Sequence, residues 1–367
     1  MEEINTTSSH ISDLSDQADN SSKENLEIPG LNHLSIVESE LKSLYNGVAI
    51  RDISSSGFIE LKGDDVLDFL HRISTNSVKN IIKGEVAKTI FTTEKGRIID
   101  AAVIINLDEY QLLVCSLEHQ EKMIIWLQKY IISDDVKLAN INGKYTLLEV
   151  LGPQADSFMM LISGNVVNNI QPNTIKIINA EGIIFFLMKH FDHNGRLIYW
   201  ILADPVYAQK LIRYMVENKG PFDFNLIGEE SYNHFRIENG IPTAPNEIND
   251  LYNPHEVGLM NLVSPEKGCY IGQEVIARLD TYDKVQKSFC GFVLPATFTG
   301  DNKFLVFDDS DVEAGNITSV TYSSKYKKHL GIGFTKKKNF EDGKILIGKN
   351  GSGNPFEVVV KKLPFQK

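Results

Sequence analysis

At 367 residues the chain is long enough for two or three domains with sizeable cores, and 42% hydrophobic with 23% charged residues is the balance of a globular protein. A net charge of −11 argues against a general binder of nucleic-acid phosphate, which needs a broad basic surface, and no apolar run reaches the length of a membrane span. Three well-separated cysteines, Cys115, Cys269 and Cys290, form no CxxC pair, so within one chain they cannot supply a four-cysteine zinc or cluster site and no metal site is read.

Residues 1–30 are rich in Ser, Asn, Asp and Glu, with one lysine and no arginine. That is the wrong sign for a mitochondrial transit peptide, so a disordered acidic leader and a cytoplasmic, bacterial setting are expected. Order is expected from Leu31 to Leu44, where Leu34, Val37, Leu41 and Leu44 trace a helical stripe. Gly47 to Ser54 reads as a strand and turn. Asp64 then caps a helix with Val66, Leu67, Leu70 and Ile73 on its apolar face; His71 beside them reads as structural. A hairpin follows, residues 88–93 and 97–105 around a turn at Glu94-Lys95-Gly96. Alternation puts Ile98, Asp100, Ala102 and Ile104 on one face, and the opposite face is apolar too. Asp100 is thus a carboxylate in a strand buried on both sides, and it needs a partner, a raised pKa or a cavity to open onto. A strand at 109–115 and a helix at 118–132 complete a first α/β block, residues 31–143.

A second block, 144–284, reads as strands at 144–151, 174–179, 182–189 and 196–203 with helices at 153–163 and 204–218. Asp204-Pro205 is an N-cap followed by proline, and Asp192-His193-Asn194-Gly195 is a hairpin turn. Strand–helix–strand order recurs in the two blocks, which points to duplicated ferredoxin-like units in an α+β fold. Helix 229–239 ends at Gly240, with His234 and Glu238 on one face and Tyr232 and Arg236 on another. Residues 285–367 are short strands and turns: 287–294, 303–307, 316–322, 329–335, 344–347 and 356–362, the pattern of a small β-barrel.

Between these parts stands Lys267-Gly268-Cys269-Tyr270-Ile271-Gly272-Gln273-Glu274-Val275-Ile276-Ala277-Arg278, a glycine-flanked thiol ahead of a short helix. A helix N-terminus and the nearby Lys267 both favour a thiolate at Cys269. The competing reading is a cysteine buried as a small hydrophobe. Cys115 and Cys290, in apolar strand-like runs, read as inert core.

This stretch closely resembles the K-G-C-(F/Y)-x-G-Q-E signature of the YgfZ family of folate-binding proteins, in the superfamily of the glycine-cleavage T-protein, an aminomethyltransferase. Arg236-Ile237-Glu238-Asn239-Gly240-Ile241-Pro242 resembles the superfamily's R-x-E-x-G-(I/L)-P segment, Glu247 to Asp250 and Asn253 to Leu259 match the link that follows, and the likeness runs from about Asn46 to the C-terminus. It implies a T-protein-like multidomain fold with a pteridine pocket central to the α/β blocks and the barrel. Lys95 to Ala101 aligns with the T-protein segment whose acid sits by the reactive folate nitrogen. Asp100 falls on the first of its two adjacent acids, Ala101 stands at the second, and Arg97 replaces a glycine. The T-protein's G-E-x-G-(F/Y)-E contact is reduced to His193-Asn194-Gly195-Arg196-Leu197-Ile198, without either acid.

The resemblance therefore implies tetrahydrofolate or another folate derivative as cofactor. Asp100 and Glu238 hold the pteridine edge in this reading; Arg236, Lys267, Gln273 and Arg278 line the site, and Cys269 with Asp100 carries any chemistry. The function it implies is an accessory protein for assembly or repair of iron–sulphur enzymes, including those that thiolate tRNA, with those enzymes as client proteins and no direct nucleic-acid contact. The alternative is a true aminomethyltransferase passing a one-carbon unit to tetrahydrofolate, and a third is a scaffold with a vestigial pocket.

Overall fold

The computed structural model describes residues 38–281, 284–349 and 353–365. The acidic leader and residues 31–37 of the expected first helix lie outside the described residues. Among the described residues no helix is long and apolar enough to cross a membrane.

The chain opens with α1 (Glu38–Asn46), β1 (Val48–Asp52), β2 (Ser56–Lys62), α2 (Val66–Ile73), β3 (Val86–Thr92), β4 (Ile98–Asn106), β5 (Gln111–Leu117), α3 (Gln120–Gln128) and β6 (Lys137–Asn140). It continues through β7 (Thr146–Leu151), α4 (Ala155–Ser163), β8 (Thr174–Ala180), β9 (Ile183–Phe191), β10 (Leu197–Ala203), α5 (Pro205–Glu217), β11 (Phe224–Ile227) and α6 (Glu229–Glu238). Most of this matches the elements expected from periodicity, down to the Asp204 carboxylate, which accepts from the Val206 amide at 2.9 Å to start α5. Strands β2, β6 and β11 go beyond the sequence expectation; β6 and β11 have four residues each, too few for a period to register.

Two sheets result. One is five-stranded in the order β3-β4-β5-β2-β6, the other six-stranded in the order β11-β1-β7-β10-β9-β8. Strand β1 lies in the second sheet, antiparallel to β7 and parallel to β11, so the first block gives its opening strand to the second across the expected boundary at 143/144. The sheets face each other across a shared core of Ile53, Leu147, Ile175, Met188 and Leu202 against Phe58, Val86, Val103, Ile105, Leu112 and Val114. Helices α2 and α3 cover the outer face of the smaller sheet, while α4 and α5 cover that of the larger, giving four layers.

Simple alternation fails at one place in β4. Phe91 pairs with Asp100 and Thr92 with Ile98, which leaves Ile99 as the extra residue of a bulge. Ile98 consequently joins Ala101 on the inner side, with Tyr252 and Phe334, instead of sharing a face with Asp100 as expected. Ile99, Ala102 and Ile104 pack outward with α2 and α3.

The C-terminal part closes on itself as expected. Strands β12 (Lys287–Leu294), β13 (Phe304–Phe307), β14 (Glu313–Ser323), β15 (Lys328–Lys336), β16 (Ile345–Lys349) and β17 (Pro355–Lys361) form a barrel in the order β12-β15-β14-β13-β16-β17. Cys290 is fully buried inside it, and Cys115 is buried in the smaller sheet. Burial pushes both thiols upward, so neither is poised to react. Between α6 and the barrel runs a linker with the short helix α7 (Pro254–Val257), built by a capping box: Asn253 accepts from the Glu256 amide at 3.0 Å and Glu256 returns the bond at 3.1 Å.

Candidate functional site

The thiol loop is held by two glycines that interlock with the β3–β4 turn. Gly272 has φ +82°, and a Cβ there would stand 2.5 Å from the Thr93 carbonyl and 3.0 Å from the Cα of Gly96. Only glycine fits that approach. Gly96, at φ +67°, lies under Ile276 and Val275 in the same way, and the Thr92 hydroxyl donates to the Ile271 carbonyl at 2.5 Å. Cys269 is exposed on this loop, not buried as a small hydrophobe. Helix α8 (Gln273–Thr281) begins four residues after it, beyond the first turn in which a helix dipole acts. Lys267 is directed away from the thiol: its buried ammonium donates to the carbonyls of His71 and Ser74 at the C-terminal end of α2. There it caps a helix, and burial pulls its pKa down to about 8. The expected support of a thiolate by Lys267 is therefore corrected. Gln273 opens α8, and Arg278 is paired at 2.5 Å with Glu274 on the exposed face of that helix.

Asp100 is wholly enclosed, with 0% exposure. Its carboxylate accepts from the Ser116 amide at 2.9 Å, from the Ser116 hydroxyl and from the Ala101 amide at 2.9 Å, and His119 Nδ1 lies 3.6 Å away. Of the three outcomes open to such a group, it takes the first, a set of partners. The residue of this pair on the inner side is Ala101.

Arg236, Glu238 and Glu247 gather at the seam between α6 and the barrel. The Arg236 guanidinium donates to Glu247 at 3.0 Å, to the Ser319 hydroxyl at 2.7 Å and to Asn233 at 2.8 Å. Glu247 also accepts from the Thr318 and Ser319 hydroxyls at 2.5 and 2.8 Å and from the Thr243 amide at 3.0 Å. Glu238 accepts from Ser323 at 2.5 Å, from Tyr45 and from His234, whose Nε2 is 3.0 Å away. Burial opposes its ionisation, but those three donors together hold its carboxyl below the usual range. These acids are saturated by protein groups, and each is enclosed by its own partners, apart from Cys269.

Polar groups with spare capacity lie elsewhere, on the inner faces of the two sheets. Met188, Leu202, Leu147 and Ile53 belong to the inter-sheet core, so the two-residue strand period puts His190, Trp200, Glu149 and Arg51 on that same face of four adjacent strands. Arg51 is directly opposite Glu149, and Glu149 opposite Trp200. Val86 and Val103 face the same core from the smaller sheet, so Lys88 points toward this row, while Ala101 on the same inner side packs with the Tyr252 and Phe334 cluster. Arg51, Trp200, Lys88 and Ala101 are only half-buried, so this margin of the inter-sheet core, termed the recess, meets solvent at them.

Its contacts are specific. Glu149 accepts from the Trp200 indole at 3.0 Å and from Arg51 at 3.4 Å; Arg51 also pairs with Glu229 at 2.8 Å and stacks 3.5 Å from the centre of the Tyr232 ring. The His190 ring meets Trp200 edge-on at 4.9 Å, and among the described residues neither nitrogen has a partner that meets hydrogen-bond geometry, although the Phe191 backbone beside it favours the charged ring. Burial first, and Lys88 second, push the imidazole well below its ordinary pKa. Lys88 donates to the Phe191 carbonyl at 2.7 Å, and burial draws its pKa down to about 8 against the pull of Glu149 and Asp192. The β9–β10 turn just after His190 forms part of a separate cleft of about 380 Å³, lined also by His255, Glu256, Phe289 and Lys362.

None of this row was singled out by motif. The signal was present, however, and it is the one that marked Asp100: Lys88, Glu149 and His190 are ionisable side chains at inward positions of apolar strands. Applied to every strand, that rule finds them all.

Comparison with known proteins follows the fold. The model of the GCVT N-terminal domain family matches residues 25–267. The chain is 28% identical over 350 residues to the Arabidopsis thaliana protein named Putative transferase At1g60990, chloroplastic, covering 89% of this chain and 73% of that one. It is 24% identical over 328 residues to the aminomethyltransferase of Chloroherpeton thalassium, covering 89% of each. The crystal structure of glycine cleavage system aminomethyltransferase T from Bartonella henselae superposes with a TM-score of 0.74 at 18% identity, over 89% of this chain and 88% of that one, a likeness of fold. The Arabidopsis name places that relative in a chloroplast, so the cytoplasmic expectation draws no support from it.

Proposed function

The chain belongs to the GCVT N-terminal domain family, and on that premise we propose that it binds a reduced folate between its two sheets and serves one-carbon transfer of the aminomethyltransferase kind. The observation that carries this reading is the row Arg51, Glu149, Trp200 and His190 set against Lys88 in an otherwise apolar interior. A reduced pteridine is flat and presents amino, amide-like N–H and carbonyl groups along one edge. Glu149, a carboxylate with lone pairs beyond those used by Trp200 and Arg51, accepts from such donors.

When bound, the folate supplies the ring nitrogen that takes up the one-carbon unit. The chain's own residues bind it, orient it and limit water. Asp100 serves in this reading as an internal brace between β4 and β5, and Glu149 takes the part of the carboxylate that meets the ligand. His193, His255 and Lys362 at the neighbouring cleft offer groups for the carboxylates of a folate tail. The test is titration calorimetry with tetrahydrofolate, followed by a single-turnover assay with an aminomethylated lipoyl carrier protein. Failure to bind any folate overturns the reading and leaves the scaffold; binding without transfer removes the enzyme and keeps the folate-binding protein.

A second reading has its own observation. Cys269 is exposed on a loop clamped by Gly272 and Gly96, within the stretch that resembles the YgfZ signature. That supports an accessory role toward iron–sulphur enzymes, with the thiol meeting a client protein. A Cys269→Ala variant tested by complementation of a deficient strain decides it. Full rescue of cluster-dependent enzyme activity discards the thiol role.

A further inference from the structure

We propose that His255 is a positioning residue that ties the cleft of about 380 Å³ to the thiol loop, so that an occupant of the cleft governs how freely Cys269 is presented. That link rests on the folate reading above and goes beyond it, by joining the cleft to a thiol which that reading leaves apart.

His255 belongs to α7, and it lines the cleft together with Glu256, Val257 and Gly258 of the same turn. Its Nε2 lies 3.0 Å from the Ile276 carbonyl inside α8. A carbonyl only accepts, so Nε2 carries the proton and the ring donates to α8 whether or not it is charged. Ile276 is gripped a second time. It is 2% exposed, and a Cβ added at Gly96 would stand 3.2 Å from its Cγ1. Glu256, the next residue of α7, reaches the other support of the loop: it accepts at 2.9 Å from Arg97, which follows Gly96 in the β3–β4 turn.

The turn α7 keeps its own shape through the Asn253–Glu256 capping box and through Gly258, whose φ is +80°. It therefore moves as a unit. A group that enters the cleft meets α7 directly, and the two bonds leaving α7 end on α8 and on the β3–β4 turn. Those are the two pieces between which Gly272 and Gly96 clamp the thiol loop. Bonded groups in an unbroken path carry coupling when an occupant favours one arrangement of them. An occupant that fastens α7 fastens the loop and leaves Cys269 less available to a reagent. Of the two bonds, the one from His255 can be cut cleanly, because removing Arg97 would strand Glu256, which is 3% exposed, as a buried charge.

The experiment follows alkylation of Cys269 by iodoacetamide in the full chain, with and without 5-formyltetrahydrofolate, by mass spectrometry of the modified peptide. Cys115 and Cys290 are buried and do not compete. Each protein is first titrated to saturation by calorimetry, so that a change in affinity does not enter the comparison. In wild type the ligand is expected to slow alkylation about fivefold or more, the low end of ordinary coupling between sites. His255→Gln retains an Nε2 donor and is expected to retain that response, whereas His255→Phe is expected to lose it. Wild type that binds folate with alkylation unslowed overturns the inference and leaves the folate reading standing. Wild type that binds no reduced folate overturns both. A response that survives in saturated His255→Phe means that the ligand covers the thiol directly, and this too overturns the inference. Hydrogen exchange in wild type guards against a phenylalanine variant that fails to fold: amides of residues 268–279 are expected to gain protection with ligand, and unchanged exchange refutes the proposal.

Discussion

Two sets of buried polar side chains differ in one respect, whether the protein itself completes them. At the seam between α6 and the barrel, Arg236, Glu238 and Glu247 are met by hydroxyls, amides and each other. In the recess between the sheets, Glu149 and Arg51 are partly paired, while among the described residues His190 makes no hydrogen bond at either nitrogen. The seam is finished chemistry and acts as glue. In the folate reading, a ligand completes the recess. A motif match alone does not separate the two, because a saturated ion pair and a ligand site draw on the same residue types.

The difference can be broken experimentally, and the largest effect is expected at the seam. Arg236→Met strands Glu247 as a buried charge and should cost about 3–5 kcal/mol in denaturant unfolding, with ligand affinity of the folded protein unchanged. A folded Arg236→Met protein that no longer binds folate would erase the distinction. Glu149→Gln should act the other way round. Losing a charge-assisted bond to the ligand is worth about 1.5–3 kcal/mol, read as a tenfold or greater fall in affinity by calorimetry, with a smaller change in unfolding.

Lys88→Met tests the recess through pH. Lys88 has a folded pKa of about 8, below the ordinary lysine value of 10.5. Between those values the unfolded chain binds the extra proton, so wild-type stability rises as pH climbs through that window. The variant should melt at higher temperature near neutrality and show a shallower rise above pH 8; a slope identical to wild type refutes the assignment. Lys267, also near 8, keeps part of the slope in place. The smallest effect belongs to Arg278→Ala. Its exposed pair with Glu274 should be worth under about 1 kcal/mol, and a large loss of folate affinity there would move the site to the thiol loop.

Much of the fold was legible because it is local. The barrel strands announce themselves by alternation and turns, α5 by Asp204 and Pro205, and the end of α6 by Gly240, whose φ is +65°. The bulge at Ile99 was not legible, since the extra residue is apolar and leaves the hydrophobic pattern intact while exchanging its faces. Lys267 misled for a different reason. Two residues from the thiol in sequence, it is aimed at a helix end contributed by residues 66–73. The recess was hidden by distance along the chain: Arg51, Lys88, Glu149, His190 and Trp200 come from five strands, and only the pairing of β1 with β7 and the stacking of two sheets bring them together.

That pairing reaches further than the site. Strand β1 is only five residues long, yet it is the rib between β7 and β11. A fragment starting at residue 144 would keep both neighbours and lose what they hold on to, exposing a raw backbone edge on each. An early strand thus sews the two α/β blocks together beneath the core they share, and shuffling or truncating the protein at the apparent block boundary would unravel the larger sheet instead of freeing it.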